Sequence, residues 1–382
     1  MSGAPASAAD QHTIAPTSVA DPPPYLPELD GLRALAITLV FVYHADILFT
    51  AGHRAPLPAG LEFIRAGHTG VSLFFVLSAF LLAQPFLAEA EGGPRVARGR
   101  YYARRALRIL PLYWLAVVAA VVSSPVPGAN VRAGFAYLFF LNSLPALAEP
   151  MLPWSVVWWS LAIEVQFYVV LPLLASRMGR VVGGVLVGLY AVAYIAFLLG
   201  AFPAGGTEYQ RFLLGYGTMF GRAPLFLAGI AAAVIYRRHG HALRARFASR
   251  RPDVLLLGLL VALGIVLASV AGAGVVRVDA GPTHAWHLLE GMLWASVLLL
   301  VVLVPLRLKV LFTNRVAVGI GIVSYSILIL HVPVLAAFAQ AEGRVPRAAL
   351  GAAAYLACLG CAALTYLVVE RPFLARKRRL RS

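Results

Sequence analysis

Arg33 and His44 stand eleven positions apart in the stretch Glu-Leu-Asp-Gly-Leu-Arg-Ala-Leu-Ala-Ile-Thr-Leu-Val-Phe-Val-Tyr-His-Ala-Asp, which runs from Glu28 to Asp46. At 3.6 residues per turn this spacing is close to three whole turns, so both side chains leave one helix face about 16 Å apart along the axis. Ionisable groups in an apolar span are tolerated mainly where they face a bundle interior or a wet cavity, so this face is expected to look inward at a site. Arginine there suits anionic oxygens, and an imidazole suits proton transfer near neutral pH. The competing reading has Arg33 snorkelling to headgroups and His44 bonding a neighbouring helix.

Three more stretches carry chemistry-bearing residues. In Arg100-Tyr-Tyr-Ala-Arg-Arg-Ala-Leu-Arg-Ile-Leu-Pro-Leu-Tyr-Trp, either Arg104 or Arg105 shares a helix face with Arg108. Guanidinium forks bind phosphate oxygens bidentately, and this group stands at the same membrane mouth as Arg33. Anchoring to lipid phosphates accounts for Arg95, Arg98 and Arg100, but less naturally for arginines that continue into the helix. In Trp154-Ser-Val-Val-Trp-Trp-Ser-Leu-Ala-Ile-Glu-Val-Gln-Phe-Tyr, Glu164 falls near mid-span with Ser160, Gln166 and Tyr168 nearby. A carboxylate at that depth needs a partner or a proton, whether it serves a site or a structural pair. The third stretch, Val323-Ser-Tyr-Ser-Ile-Leu-Ile-Leu-His, places Tyr325 and His331 six positions apart and off a common face. They are expected to serve different contacts, in packing or behind the reacting groups.

Other candidates read more blandly. Ser72, Ser78 and Ala79 are small residues suited to close helix packing. His284 and His287 make a weak metal signal without further ligands, so no metal site is expected. Cys358 and Cys361 lie inside an apolar run and read as packing residues rather than a redox pair.

The elements that must position these groups are membrane helices. The chain of 382 residues is 60% hydrophobic and only 13% charged, with a net charge of +16. That excess would suggest nucleic acid in a soluble protein, but here it falls in short clusters between apolar runs, as topology and anionic lipid require. Runs long enough to span occur near 32–50, 69–88, 108–123, 154–175, 181–202, 219–236, 254–276, 285–305, 316–340 and 348–370. An eleventh, near 133–147, is interrupted by Asn142 and Pro145. Reading it as re-entrant or interfacial puts the basic segments Arg95–Arg108 and Arg237–Arg251 on one side. That side then holds 24 of the 32 lysines and arginines, as the positive-inside rule expects. The expected fold is an all-α membrane bundle of about ten transmembrane helices plus that segment, with both termini cytoplasmic. Residues 1–27 read as a disordered cytoplasmic tail, 28–373 as the membrane domain and 374–382 as a basic cytoplasmic tail.

Taken in order, Glu-Leu-Asp-Gly-Leu-Arg with His44 eleven residues after its Arg, Phe-Phe-Val-Leu-Ser-x-Phe-Leu, Arg-Arg-x-x-Arg-Ile-x-Pro-x-Tyr-Trp, Trp-Ser-Leu-x-x-Glu-x-Gln-Phe-Tyr, Tyr-Ser-x-x-x-x-His and a final Glu370-Arg-Pro-Phe resemble the acyltransferase 3 family of bacterial integral-membrane O-acyltransferases. The resemblance runs from about Glu28 to Phe373. It implies that His44 is the catalytic histidine, that Arg33, Arg105 and Arg108 bind the acyl donor, and that Glu164 occupies the acidic position of its motif. Two positions depart from the family pattern: Ser72 stands where Asp is common, and Ala79 where Gly is common. Some members carry an outer esterase-like domain, for which this chain ends too soon.

The implied reaction moves an acyl group, most simply acetyl, from cytoplasmic acyl-CoA to a hydroxyl of a saccharide or glycoconjugate at the outer side of the cytoplasmic membrane. His44 would be the general base, Glu164 would orient it or the acceptor, and Ser160, Tyr325 and His331 would support substrate or base. Acyl-CoA enters as a substrate rather than a resident cofactor; the other partners are the acceptor and membrane lipids, with no nucleic acid. Direct transfer is favoured, since no Ser or Cys sits in a diagnostic nucleophile motif. The rival is a transporter or flippase in which the same charges line a path.

Overall fold

A computed structural model describes residues 25–50, 65–124, 129–142, 151–175, 177–199, 201, 214–215, 217–247, 252–272 and 286–379. Most of the expected N-terminal tail, His284, and the later part of the 133–147 segment lie outside these residues. The elements, in chain order, are α1 (Pro27–Phe49), α2 (Thr69–Ala90), α3 (Arg98–Val122), α4 (Ala129–Leu138), a 3-10 turn (Ser155–Val157), α5 (Trp159–Leu174), α6 (Arg177–Leu198), α7 (Met219–Phe247), α8 (Asp253–Gly272), α9 (Trp286–Leu303), α10 (Val310–Thr313), α11 (Arg315–Ile322), α12 (Ser324–Ala339), α13 (Arg347–Thr365), a π turn (Tyr366–Glu370) and α14 (Arg371–Arg379).

Each of the ten apolar runs is helical over most of its described residues. Among the described residues, eight segments are long and apolar enough to cross a bilayer, and a bent pair raises the count to nine. The chain is therefore an all-α, multi-pass membrane protein. The run at 254–276 supplies only a shorter apolar helix, Asp253–Ser269. The run at 316–340 is not one straight span: α11 and α12 meet at a bend of 75°. Apolarity is uniform across that bend, so hydropathy does not reveal it. Of the run near 133–147, the described residues hold the C-terminal part of the ten-residue α4, a helix about 15 Å long, half of a hydrocarbon core.

Ion pairs bring the ends of the basic segments together. Lys309 pairs with Glu28 at the start of α1 at 2.6 Å, Arg98 with Glu89 at 2.6 Å, and Arg237 with Glu91 at 2.5 Å. The hydrogen bond from Arg237 holds Glu91, just past the end of α2, below the ordinary carboxylate range. Arg98 and Arg237 thus lie at the same end of the bundle, that of the last turn of α2. We call this the basic end.

Helices α1 and α2 form the centre. They pack on each other, α2 packs on α7 and α9, and α1 packs on α11 and α12; α3 and α5 close the remaining side. Two glycines set the closeness. A Cβ at Gly70 would fall on the Ala36 carbonyl of α1, and one at Gly229 of α7 would fall on the Val76 carbonyl of α2. Backbones this near leave no room for a side chain, and dispersion between them replaces the hydrophobic drive that lipid cannot supply. Gly229→Val is expected to lower the thermal midpoint in nanodiscs, by overpacking of about 1–3 kcal/mol. The exposed Gly258, with nothing near its Cβ position, serves as control; equal midpoints for the two valine variants would contradict this packing.

Candidate active site

The α1 helix begins at Pro27, a residue pre-set for the first turn, followed by the acids Glu28 and Asp30. Asp30 accepts from Arg33 and from the Tyr25 hydroxyl, each at 2.6 Å, so Arg33 is held by its own first turn. Three turns on, His44 is part exposed. Its Nδ1 lies 2.9 Å from the Val40 carbonyl and 3.3 Å from Nε2 of His331.

These contacts decide the protons. His331 is fully buried, and its Nδ1 faces two acceptors, the carbonyls of Ile327 at 3.0 Å and Leu328 at 2.9 Å. A carbonyl only accepts, so Nδ1 of His331 carries the hydrogen and, in the neutral ring, Nε2 is an acceptor. His44 Nδ1 then faces two acceptors and must donate. Its hydrogen sits on Nδ1, and Nε2 keeps a lone pair, the form that proton abstraction would need.

On the basic side of this pair lies a cavity of about 80 Å³. Its polar lining comes from Arg33 of α1, Ser78 of α2, Arg105 and Arg108 of α3, Ser160, Glu164 and Tyr168 of α5, and Ser324 and Tyr325 of α12. Apolar residues, among them Val71, Phe75 and Leu328, complete it. His44 is not in that lining. Leu328 lies one turn before His331 on α12, so His44 stands beyond the cavity at the end away from the arginines.

Glu164 is held by donors from two helices. Ser78 at 2.5 Å and Tyr168 at 2.6 Å both give hydrogen bonds to its Oε1, and the guanidinium of Arg105 lies 5.9 Å from the Tyr168 ring centre. Ser160 donates to the Val157 carbonyl at 2.8 Å, and the Tyr325 hydroxyl donates to the Ile109 carbonyl of α3 at 2.7 Å. The structure therefore gathers Arg33, Arg105, Arg108, Ser160, Glu164 and Tyr325 around one cavity and places His331 against His44. Glu164 bonds Ser78 and Tyr168 rather than His44. Tyr325 and His331 make separate contacts, as their spacing requires.

Sequence reasoning missed several polar groups here. Ser78, assigned to packing, donates into the cavity. A second buried network joins α2, α7 and α9. In it Arg222 lies 3.4 Å and Glu290 3.2 Å from Nδ1 of His287, Thr69 donates to Glu290, and Trp294 donates to Thr69 at 2.8 Å. Arg222 and Glu290, charges inside apolar runs, were its signals in the sequence, but the pairing was not legible, because Thr69 and Glu290 are 221 positions apart and Arg222 and His287 are 65 apart.

Comparison with known proteins identifies a family for the chain. A family model described as an acyltransferase domain matches residues 26–367. The chain is similar to the peptidoglycan O-acetyltransferase OatA of Listeria monocytogenes, 28% identical over 231 residues, covering 56% of this chain and 34% of that protein. It is also similar to the O-acetyltransferase OatA of Staphylococcus aureus strain NCTC 8325, 27% identical over 166 residues, covering 40% of this chain and 25% of that one. The matches thus span between a quarter and about a third of these relatives. No solved structure matches.

The proton assignment is open to a direct check. Solid-state ¹⁵N spectra of histidine-labelled protein near neutral pH, with His44→Gln to identify the signal, are expected to show His44 as the Nδ1–H tautomer. A hydrogen on Nε2 of His44 would contradict it.

Proposed function

This chain belongs to the acyltransferase 3 family, and we propose on that premise that it is a membrane O-acyltransferase. It moves an acyl group, acetyl in the simplest case, from acyl-CoA at the basic, cytoplasmic end of the bundle to a saccharide hydroxyl at the other end. The single observation that carries this reading is the order of three parts from the basic end. These are the arginines at the cavity's basic end, the polar cavity itself, and a base nitrogen beyond it.

Arg33, Arg105 and Arg108 hold the phosphates of the donor, and the extended arm of the donor crosses the cavity. The about 16 Å between Arg33 and His44 along α1 suits such an arm. Ser78, Ser160 and the second oxygen of Glu164 offer it hydrogen-bonding groups. At the far end, Nε2 of His44 takes the proton of the acceptor hydroxyl while its oxygen attacks the thioester carbonyl. The tetrahedral adduct collapses, the C–S bond breaks, and the thiolate leaves with the proton returned from Nε2. The products are an ester and free CoA. While His44 carries both protons, Val40 O and His331 Nε2 both accept from Nδ1 and stabilise the imidazolium in a low-dielectric setting.

The acceptor is taken to be a cell-envelope saccharide, following the names of the matched relatives, with peptidoglycan as the first to test. A transporter would also carry charges along such a path. The family membership and a base with its proton placed by two acceptors favour chemistry instead.

The test uses protein in nanodiscs with radiolabelled acetyl-CoA and soluble peptidoglycan fragments. His44→Ala is expected to bind acetyl-CoA as the wild type does, with turnover lower by about a hundredfold or more. The double variant Arg105→Ala, Arg108→Ala loses binding. A well-folded wild type that binds neither acetyl-CoA nor a longer acyl-CoA would sink the proposal.

A further inference from the structure

Glu370 is a buried acid that the mechanism above does not use. It is 3% exposed, it accepts from Ser326 of α12 through Oε1, and its Oε2 is buried without a hydrogen-bond partner. Its position depends on the one π turn among the described residues. The buried stripe of α13 is Leu350, Ala354, Cys358 and Ala362. Eight residues of regular α-helix would turn position 370 about 80° away from position 362. The wider turn at Tyr366–Glu370 takes up that drift and keeps Glu370 on the buried face. Single π turns of this kind recur at functional sites.

The surroundings of Glu370 lead to Arg108. The π turn packs on α3. Ser326, which holds Glu370, follows Tyr325, which bonds the carbonyl of Ile109, the residue after Arg108. Tyr325 and Arg108 both line the cavity, with Glu164 across it. The charge of Arg108 acts on Glu370, on Tyr325 and on Tyr168, the residue bonded to Glu164. Arg108 therefore lines the cavity that Glu164 also lines, on a helix against which the turn carrying Glu370 packs.

We propose that Glu370 is a positioning residue that holds Arg108 off Glu164 and so keeps its guanidinium available to a phosphate of the donor. This rests on the acyl-CoA reading above and deepens it. A guanidinium in a low-dielectric interior takes the nearest anion. Without a fixed counter-charge behind it, Arg108 closes on Glu164 and each neutralises the other. The phosphate then has to break that pair before it binds. With Glu370 in place, Arg108 is poised between two partners, and an arriving phosphate completes its coordination.

The experiment compares wild type, Glu370→Gln, Arg108→Ala and the double variant, all in nanodiscs. Acetyl-CoA turnover is read with peptidoglycan fragments as acceptor, and binding with adenosine 3′,5′-bisphosphate as a phosphate-bearing probe. Glu370→Gln is expected to raise the KM for acetyl-CoA about tenfold and weaken the probe about tenfold, with kcat within about twofold. In the Arg108→Ala background the same change adds nothing. Ser326→Ala, which leaves both charges in place, produces a smaller rise in the same direction and carries the test if Glu370→Gln does not assemble. Unchanged or tighter probe binding in Glu370→Gln, or an equal loss in the Arg108→Ala background, would overturn the proposal. A wild type that binds the bisphosphate but releases no CoA would contradict the acyl-transfer reading, leaving the binding ratio to judge Glu370.

Discussion

Hydrocarbon tolerates a charge only beside a partner or in a wet cavity, and this constraint orders the whole structure. Each ionisable group described along the path meets it in a particular way. Arg33 is paired with Asp30, Glu164 takes two hydroxyl donors on one oxygen, and Arg105 and Arg108 face the cavity. The two imidazoles at the far end satisfy each other through one nitrogen apiece and the backbone through the other contacts. Arg105 and Arg108 turn toward the cavity at one end, and at the other His44 keeps the lone pair of Nε2, which the proposed reaction uses.

Packing serves this arrangement. Helices in lipid gain little from burying apolar surface, so they are held by close backbone approach and by interhelical hydrogen bonds. Gly70 and Gly229 bring α1, α2 and α7 together, fixing Ser78 opposite Glu164. The bond from Tyr325 to the Ile109 carbonyl ties α12 to α3. It sets the distance between the helix that supports His44 and the helix that carries Arg105 and Arg108.

Much of this was legible in the sequence, for physical reasons. A membrane helix announces itself by length and apolarity, so the described parts of the ten apolar runs are mostly helix. Charges in such runs stand out because they are rare, which singled out Arg33, His44, Arg105, Arg108 and Glu164. What sequence did not show is who meets whom. His44 and His331 are 287 positions apart, and Ser78 and Glu164 are 86 apart. No spacing rule reaches across helices. The bend between α11 and α12 and the π turn before Glu370 were hidden for another reason: both change direction without changing hydropathy. Glu370 was visible as part of a motif, but its inward aim depends on a single wide turn.

The central claim is that donor and base meet along one path entered from the basic end. The most direct measurement supplies acetyl-CoA to one side only of uniformly oriented proteoliposomes, with acceptor on both sides, and follows release of CoA. The account predicts release when acetyl-CoA faces the end that bears Arg98 and Arg237, and none when it faces the His44 end. Release confined to the His44 end, or equal release from both, would contradict it.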